Sequence, residues 1–315
     1  MPPLRRRATT LGTRLGRFAL GRRAERFLLE RIWSGAPAEM LDTYLVSGFQ
    51  DPSINMQSIL LRHFLVHRLV GDRLDPLMRE EIAFAIGLNE ELRTTAAALG
   101  VTMRTYLDPA KAADVRRVDA AITDRRDVFQ RRWTEALRDE DLTHISVIEL
   151  ACGSANDYRA FADYGIAPYL DYLGIDLTPK NIENARRRFP EVSFAVGDIT
   201  AVAQADRAAD YVIASDIYEH LSLDAMERAL DETLRLARQG VALTFFNMRD
   251  VPEHDSRPRG LYFWNLLSSR RIRSRLEREF RDVQVVPVAA WLAAEHDCTQ
   301  TYNPNAVSMF AVGRG

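Results

Sequence analysis

Hydrophobic and polar positions fall into two regimes along this chain. Up to about residue 140, apolar residues recur at three- and four-residue spacing, as in Leu11, Leu15 and Phe18 and again in Leu28 and Ile32. That is the stripe of amphipathic helices. Asp51-Pro52-Ser53 reads as a helix start, with a side chain able to cap and a proline suited to the first turn. The helix it opens should run to Gly71, and further helices are predicted over 75–100 and 114–137. Beyond Asp141 the period changes, and short β-rich runs alternate with amphipathic helices, as in a parallel sheet with crossover helices. Strands are predicted over 145–150, 172–176, 193–196, 210–214, 241–246, 283–288 and 307–312. Helices are predicted over 156–164, 179–188, 223–237 and 263–280. No helix-length pattern separates the last two strands, so they should form an antiparallel hairpin at the end of the sheet.

Composition narrows the class. The 315 residues carry a formal net charge of -2, which gives no global pull toward nucleic acid or an anionic membrane. Cys152 and Cys298 are too few for a disulfide framework, which suits a reducing compartment. The arginine-bearing start has no uninterrupted apolar run and no clear cleavage site. The most apolar stretch, around 58–71, is broken by Arg62, His63, His67 and Arg68, so it predicts a buried helix and not a membrane span. A cytoplasmic protein is expected.

The chemistry begins at the first strand's end. Glu149-Leu150-Ala151-Cys152-Gly153-Ser154-Ala155-Asn156 is a turn of small residues between strand and helix. Such a turn lets the backbone approach a ligand, at the carboxyl edge where ligands bind in open α/β sheets. Gly174-Ile175-Asp176 places a carboxylate at the end of the second strand, suited to both hydroxyls of a ribose. Gly197-Asp198-Ile199 places another at the end of the third, suited to an adenine amino group. Either acid alone reads equally well as a solvated turn residue or a helix cap. Their succession at consecutive strand ends favours a nucleoside-bearing ligand. A nicotinamide dehydrogenase needs G-x-G-x-x-G, whereas this turn has one glycine, and it gives Asp198 no role.

With these motifs, and with Ala209–Asp216 leading into Tyr218-Glu219-His220-Leu221, the stretch from Val147 to Met248 resembles the class I S-adenosylmethionine-dependent methyltransferases. The resemblance implies an α/β fold: a Rossmann-like, seven-stranded, mostly parallel sheet with an antiparallel last strand, here preceded by a helical N-terminal domain. It implies that Gly153 faces the methionine portion of S-adenosyl-L-methionine, Asp176 its ribose and Asp198 its adenine. Glu149, Ala151, Cys152, Leu177, Ile199 and Ser215 would complete the cofactor site. Ala151 and Ala155 stand where glycine is commoner, and alanine there costs little if the backbone keeps negative φ.

Methyl transfer is an in-line displacement, so a protein chiefly aligns and desolvates the nucleophile, with a base where a proton must leave. Three segments that follow strand ends should overhang the methyl group: 216–220, 249–260 and 294–305. Each holds a histidine, His220, His254 and His296. His220 is the candidate base, because it lies closest to its strand. The Glu-His-Asp triplets at 253–255 and 295–297 also read as solvated loops, and no metal site is expected from them. Tyr218, Tyr262 and Trp264 are candidate acceptor contacts, although the run Tyr262-Phe263-Trp264-Asn265 can equally be core. His63 and His67, one helical turn apart, read as packing residues.

Residues 1–140 are thus expected to form a helical lid or dimerisation region and 141–315 the cofactor domain. The expected activity is methylation of oxygen or nitrogen on a small-molecule acceptor, such as a natural product or sugar. No nucleic acid or membrane partner is expected, and a homodimer is compatible. Two other readings stay open: a non-catalytic S-adenosylmethionine-binding regulator or scaffold, and a methyltransferase of macromolecules.

Overall fold

A computed structural model describes residues 52–101, 110, 112–140, 142–259, 262–298 and 303–314. The helical stripes at Leu11, Leu15 and Phe18 and at Leu28 and Ile32 lie outside them, as does Asp51. Seven strands form one sheet: β1 (Ile145–Leu150), β2 (Leu170–Asp176), β3 (Ser193–Val196), β4 (Ala209–Ser215), β5 (Ala237–Phe245), β6 (Phe280–Pro287) and β7 (Val307–Arg314). Their order is β6-β7-β5-β4-β1-β2-β3. β3, β2, β1, β4 and β5 pair in parallel, and β7 runs antiparallel between β5 and β6. The expected mixed sheet is therefore present, with its carboxyl edge at Leu150, Asp176, Val196, Ser215 and Phe245.

Helices cover both faces. They are α1 (Met56–Val70), α2 (Asp75–Ala98), α3 (Ala112–Arg138), α4 (Asn156–Asp163), α5 (Pro179–Arg188), α6 (Leu223–Leu236), α7 (Ser269–Leu276) and α8 (Val288–His296). Alternate residues along each strand divide between two cores, as the period of two requires. Val147, Tyr172, Tyr211, Ile213 and Phe310 pack with α1, α4 and α5. Ile148, Val212, Ala214, Val241 and Leu243 pack with α6 and α7. Among the described residues no helix is long and apolar enough to cross a membrane.

The first helix is joined to the sheet as firmly as the crossover helices are. Phe64 stacks on Phe310 at 5.3 Å and meets Tyr211 edge-on at 5.5 Å. Gln57 donates to the carbonyls of Phe245 and Val307 at 3.1 and 3.3 Å. Behind it, Glu81 of α2 takes Arg62 at 2.5 Å and His63 at 2.6 Å, all three buried, while Arg62 lies 4.0 Å over the Tyr164 ring. Burial alone would raise the Glu81 carboxyl, but the Arg62 charge and the His63 hydrogen bond outweigh it and hold it low. His63 thus serves packing, as expected, and His67 is exposed.

Three elements differ from their predicted form. α1 starts at Met56 and not near Asp51, because the Asn55 side chain caps it by accepting from the N–H groups of Gln57 and Ser58, and 52–54 form a turn. The helix predicted over 263–280 is cut to α7, which Ser268 caps by accepting from Arg271 N–H. Before it, Tyr262–Phe263 and Leu267–Ser268 are two-residue strands paired with Pro258–Arg259 and Met248–Arg249. The cause lies in Asn265, whose backbone and side chain are engaged by other segments. Between β6 and β7 lies α8, so these strands do not form a simple hairpin. Its Val288 and Leu292 pack with Met56, Ile59 and Ile82, and the apolar residues surrounding it leave no stripe to read.

Candidate active site

The turn after β1 is wound left-handed three times, at Ala151 (φ 58°), Gly153 (φ 54°) and Ala155 (φ 65°). Negative φ at the two alanines was the condition for their costing little, and the structure reverses it. Each holds a conformation that costs an ordinary residue about 1–2 kcal/mol. The turn is tied to the neighbouring strand: Cys152 N–H donates to Ile175 O at 3.0 Å, and Gly153 N–H donates to Asp176 Oδ2 at 3.0 Å. A Cβ built on Gly153 would meet nothing within 4 Å, so the turn faces open space there.

Asp176 is buried, and its other oxygen accepts from Thr178 N–H at 2.8 Å and Asn181 Nδ2 at 3.1 Å. Leu177 beside it is 67% exposed, a bare apolar side chain at the sheet edge. Asp198 is exposed at the end of β3, where the N–H and hydroxyl of Thr200 bind one oxygen and hold its carboxyl below the usual range. Ile199 is buried. Ala151, Cys152, Gly153, Asp176, Leu177, Asp198 and Ile199 therefore follow one another along the carboxyl edge.

A group of acids lies behind the turn. Glu149 is buried and accepts from the Tyr172 hydroxyl. Burial and the Asp157 charge push it well above the carboxylate range, and Asp176 adds to this. Asp157, in the first turn of α4, accepts from Ser215 Oγ at 2.8 Å and from Ser58 Oγ of α1 at 3.4 Å. Its pKa is raised by burial. Asp216 follows Ser215 at φ 54°, and burial with the Asp157 charge lifts it to about 7. Among the described residues none of Glu149, Asp157 and Asp216 forms an ion pair with lysine or arginine. The Arg62 charge reaches Asp157 without offsetting its burial, and burial favours the neutral form of all three, which a bound cation would shift toward the ionised form. An open glycine turn, a ribose-suited acid, an exposed edge leucine and buried carboxyls that a cation would ionise together fit S-adenosyl-L-methionine, whose sulfonium and ammonium are positive.

The predicted acceptor residues separate. His220 is half-buried, with Phe246, Tyr262 and Trp264 at ring distances of 5.0, 5.7 and 5.7 Å. Its Nδ1 lies 3.1 Å from Phe263 O. A carbonyl only accepts, so Nδ1 carries the proton and Nε2 keeps a lone pair. Burial lowers its pKa and the Phe263 bond raises it less, so the ring is held neutral. Tyr218 turns away into the core, 1% exposed, its hydroxyl on Thr233 at 2.7 Å. His254 accepts from Ser268 N–H at 3.0 Å and faces Glu227 at 3.8 Å, in a groove between α6 and α7. His296 packs against Trp291 at the end of α8. The three histidines thus contact different neighbours. Among the described residues no group of three or more His, Cys, Asp or Glu side chains is assembled as a metal site.

Several residues of the site carry no motif of their own. Asp157, Phe246, Asn247 and Asn265 are ordinary residues in the sequence and gain their roles from position. Glu219 gave one signal, its place between β4 and His220. It is 0% exposed, and burial with the Asp216 charge raises it to about 8.

Residues 147–240 match the family model of a methyltransferase domain. Over 94 residues the chain is 30% identical to the demethylmenaquinone methyltransferase of Renibacterium salmoninarum, covering 30% of this chain and 37% of that protein's length. Among solved structures it is similar to an S-adenosylmethionine-dependent methyltransferase of Methanosarcina mazei, at 10% identity and TM-score 0.42, over 57% of this chain and 97% of that one. It is also similar to one of Mesorhizobium loti, at 13% identity and TM-score 0.42, over 57% and 95%.

Proposed function

We propose that this chain, which carries a class I S-adenosylmethionine-dependent methyltransferase domain, transfers a methyl group to an oxygen or nitrogen of a small molecule. The observation that carries the reading is the turn 151–155, open above Gly153, clasped to Asp176 and backed by Asp157 and Asp216. Bound there, the cofactor supplies the methyl group and the positive sulfur that activates it. Asp176 would hold the ribose and Asp198 the adenine, while the buried acids, ionised by a cation beside them, would complement the positive end. The family match ends at residue 240, before Phe246, Tyr262 and Trp264, so the relative's acceptor does not transfer with it.

His220 supports the second half of the reading. Its free Nε2, on a ring held neutral and walled by three aromatic side chains, suits it to take a proton as the methyl arrives. The aromatic wall favours an acceptor with a ring, as natural-product tailoring would use. Residues 1–140 would shape the acceptor side, since Ser58 of α1 already reaches Asp157. Calorimetry tests the cofactor. Asp176→Ala should weaken S-adenosylmethionine binding by about 1.5–3 kcal/mol, the loss of charge-assisted hydrogen bonds. Unchanged affinity in a folded Asp176→Ala protein would remove Asp176 from the site. Asp198→Ala should lose less, since it offers one hydrogen bond and is already held by Thr200.

A further inference from the structure

Segments from three parts of the chain meet at Glu219. Its Oε1 accepts from Asn247 N–H at 3.1 Å, just beyond β5, and its backbone carbonyl accepts from Asn265 N–H at 3.0 Å. Asn247 donates in turn to Asn265 O at 2.8 Å and accepts from Asn305 Nδ2 at 3.1 Å, on the approach to β7. Asn265, itself 0% exposed, uses its side chain on Leu221 O and Arg257 N–H. Phe263, two residues before it, is the acceptor of the His220 ring. The route from the Glu219 carboxyl to the imidazole therefore runs through two buried hydrogen bonds, the main chain of 263–265 and a half-buried bond to the ring. One valence is left over: Glu219 Oε2 is buried with no hydrogen-bond partner.

An ionised carboxylate with an oxygen bare in the core would carry a large desolvation cost, and a protonated one a smaller cost, that of an unpaired hydroxyl. The Asp216 charge adds to the cost of the ionised form, while the N–H groups of Glu219, Phe246 and Asn247 favour that form by less. Among the described residues the titratable groups set against it are Asp216 and Tyr218 of its own segment. The exit of β5 offers the N–H groups of Phe246 and Asn247, and the segment before α7 offers neutral Asn265. No cation faces it among these.

We infer that Glu219 is a positioning residue for His220: its neutral carboxyl locks the segment 263–265 in place, and so keeps the imidazole protonated on Nδ1 with Nε2 free. The inference rests on the reading of His220 as a base, but its first readout needs neither cofactor nor acceptor. In 15N-histidine-labelled protein the His220 signals, assigned by their loss in His220→Ala, should report the Nδ1-protonated tautomer. Glu219→Gln keeps a neutral acceptor for Asn247 N–H and should preserve that tautomer. Glu219→Asp is one methylene short of Asn247. It should move the ring toward the Nε2-protonated form and lower turnover about 10–100-fold, part of what a positioned base supplies, with cofactor affinity unchanged. Glu219→Gln should rescue turnover relative to Glu219→Asp.

Retention of the wild-type tautomer in folded Glu219→Asp overturns the inference, as does its loss in Glu219→Gln. Should Glu219→Asp not fold, the wild-type protein decides. Its His220 signals should show a second inflection on the alkaline side as Glu219 ionises, absent from Glu219→Gln. Identical titrations in the two proteins overturn the inference. Altered tautomers with no methyl transfer to any acceptor would instead count against the methyltransferase reading alone.

Discussion

Ala151 and Ala155 hold φ of 58° and 65° although neither is glycine, and the surrounding bonds must maintain that strain. At Ala151, which is half-buried, replacement by glycine should relieve about 1–2 kcal/mol of left-handed cost. Glycine's freer unfolded chain takes back about 0.4–1 kcal/mol. Ala151→Gly should therefore stabilise by about 0.5 kcal/mol in denaturant titration, and a loss of stability would mean that the alanine methyl contributes more by packing. The acids Asp176 and Asp198 were legible in sequence because each ends a strand at regular spacing. The sign of φ was not, since it depends on bonds to β2 from residues about twenty positions away. The place of His220 just beyond a strand end was legible in the same way, while its tautomer depends on a carbonyl 43 residues later. Its pKa lies below the ordinary 6.5, and as the proposed base it would act in its neutral form. Turnover should hold steady as pH falls to that ordinary value and drop only on its acid side. His220→Ala should lower turnover by about 10²–10⁴ and abolish this acid limb, with cofactor affinity nearly unchanged. Glu219 gives the opposite sign for stability. Its pKa rises from 4.5 to about 8 on folding, so the stability associated with its protonated form is complete below 4.5 and is lost as pH climbs toward 8. Glu219→Gln should raise stability little at pH 4.5 and clearly at pH 8, by an amount on the order of 2–4 kcal/mol, read as a melting-temperature rise that grows with pH. Equal melting shifts at both pH values would contradict this.

At the level of elements, the strands and crossover helices were readable because each buries a face of one period, and β1, β3 and α5 fall where the pattern places them. The failures share a cause. The run Tyr262-Phe263-Trp264-Asn265 opens the helix predicted over 263–280, yet Asn265 is held by Glu219, Leu221 and Arg257, and those partners lie outside that helix. α8 offers no stripe because its apolar residues meet neighbours on several sides. Close strand packing has its own signature at Gly240, where an added Cβ would lie 2.4 Å from Ala311 O. Backbone cannot move aside as a side chain can, so Gly240→Ala should push β5 from β7 and destabilise by about 2–4 kcal/mol, the range of severe core changes. Unaltered unfolding of that variant would show that the two strands can separate cheaply.

Across the whole molecule, α1 belongs to the sheet's own core as much as to the helices before it. Phe64 and its neighbours fill one face of the sheet, and Gln57 bonds the ends of β5 and β7. A fragment of residues 141–315 should therefore lose its cooperative melting transition and bind hydrophobic dyes. A fragment with native circular dichroism and full cofactor affinity would show that the sheet stands alone. The contacts of Gln57 also set a clock. Its partners lie 188 and 250 residues further along the chain, and synthesis proceeds at about 5–20 residues per second. For roughly 10–50 seconds after α1 leaves the ribosome, the face that Phe64 will bury is incomplete, because the ends of β5 and β7 that Gln57 binds have yet to be made. A nascent chain stalled before β5 should be cut readily by protease at α1, and one released beyond β7 should resist. Each newly made copy would need shelter during that interval, so its yield in a cell should depend on chaperone supply more than its final stability suggests.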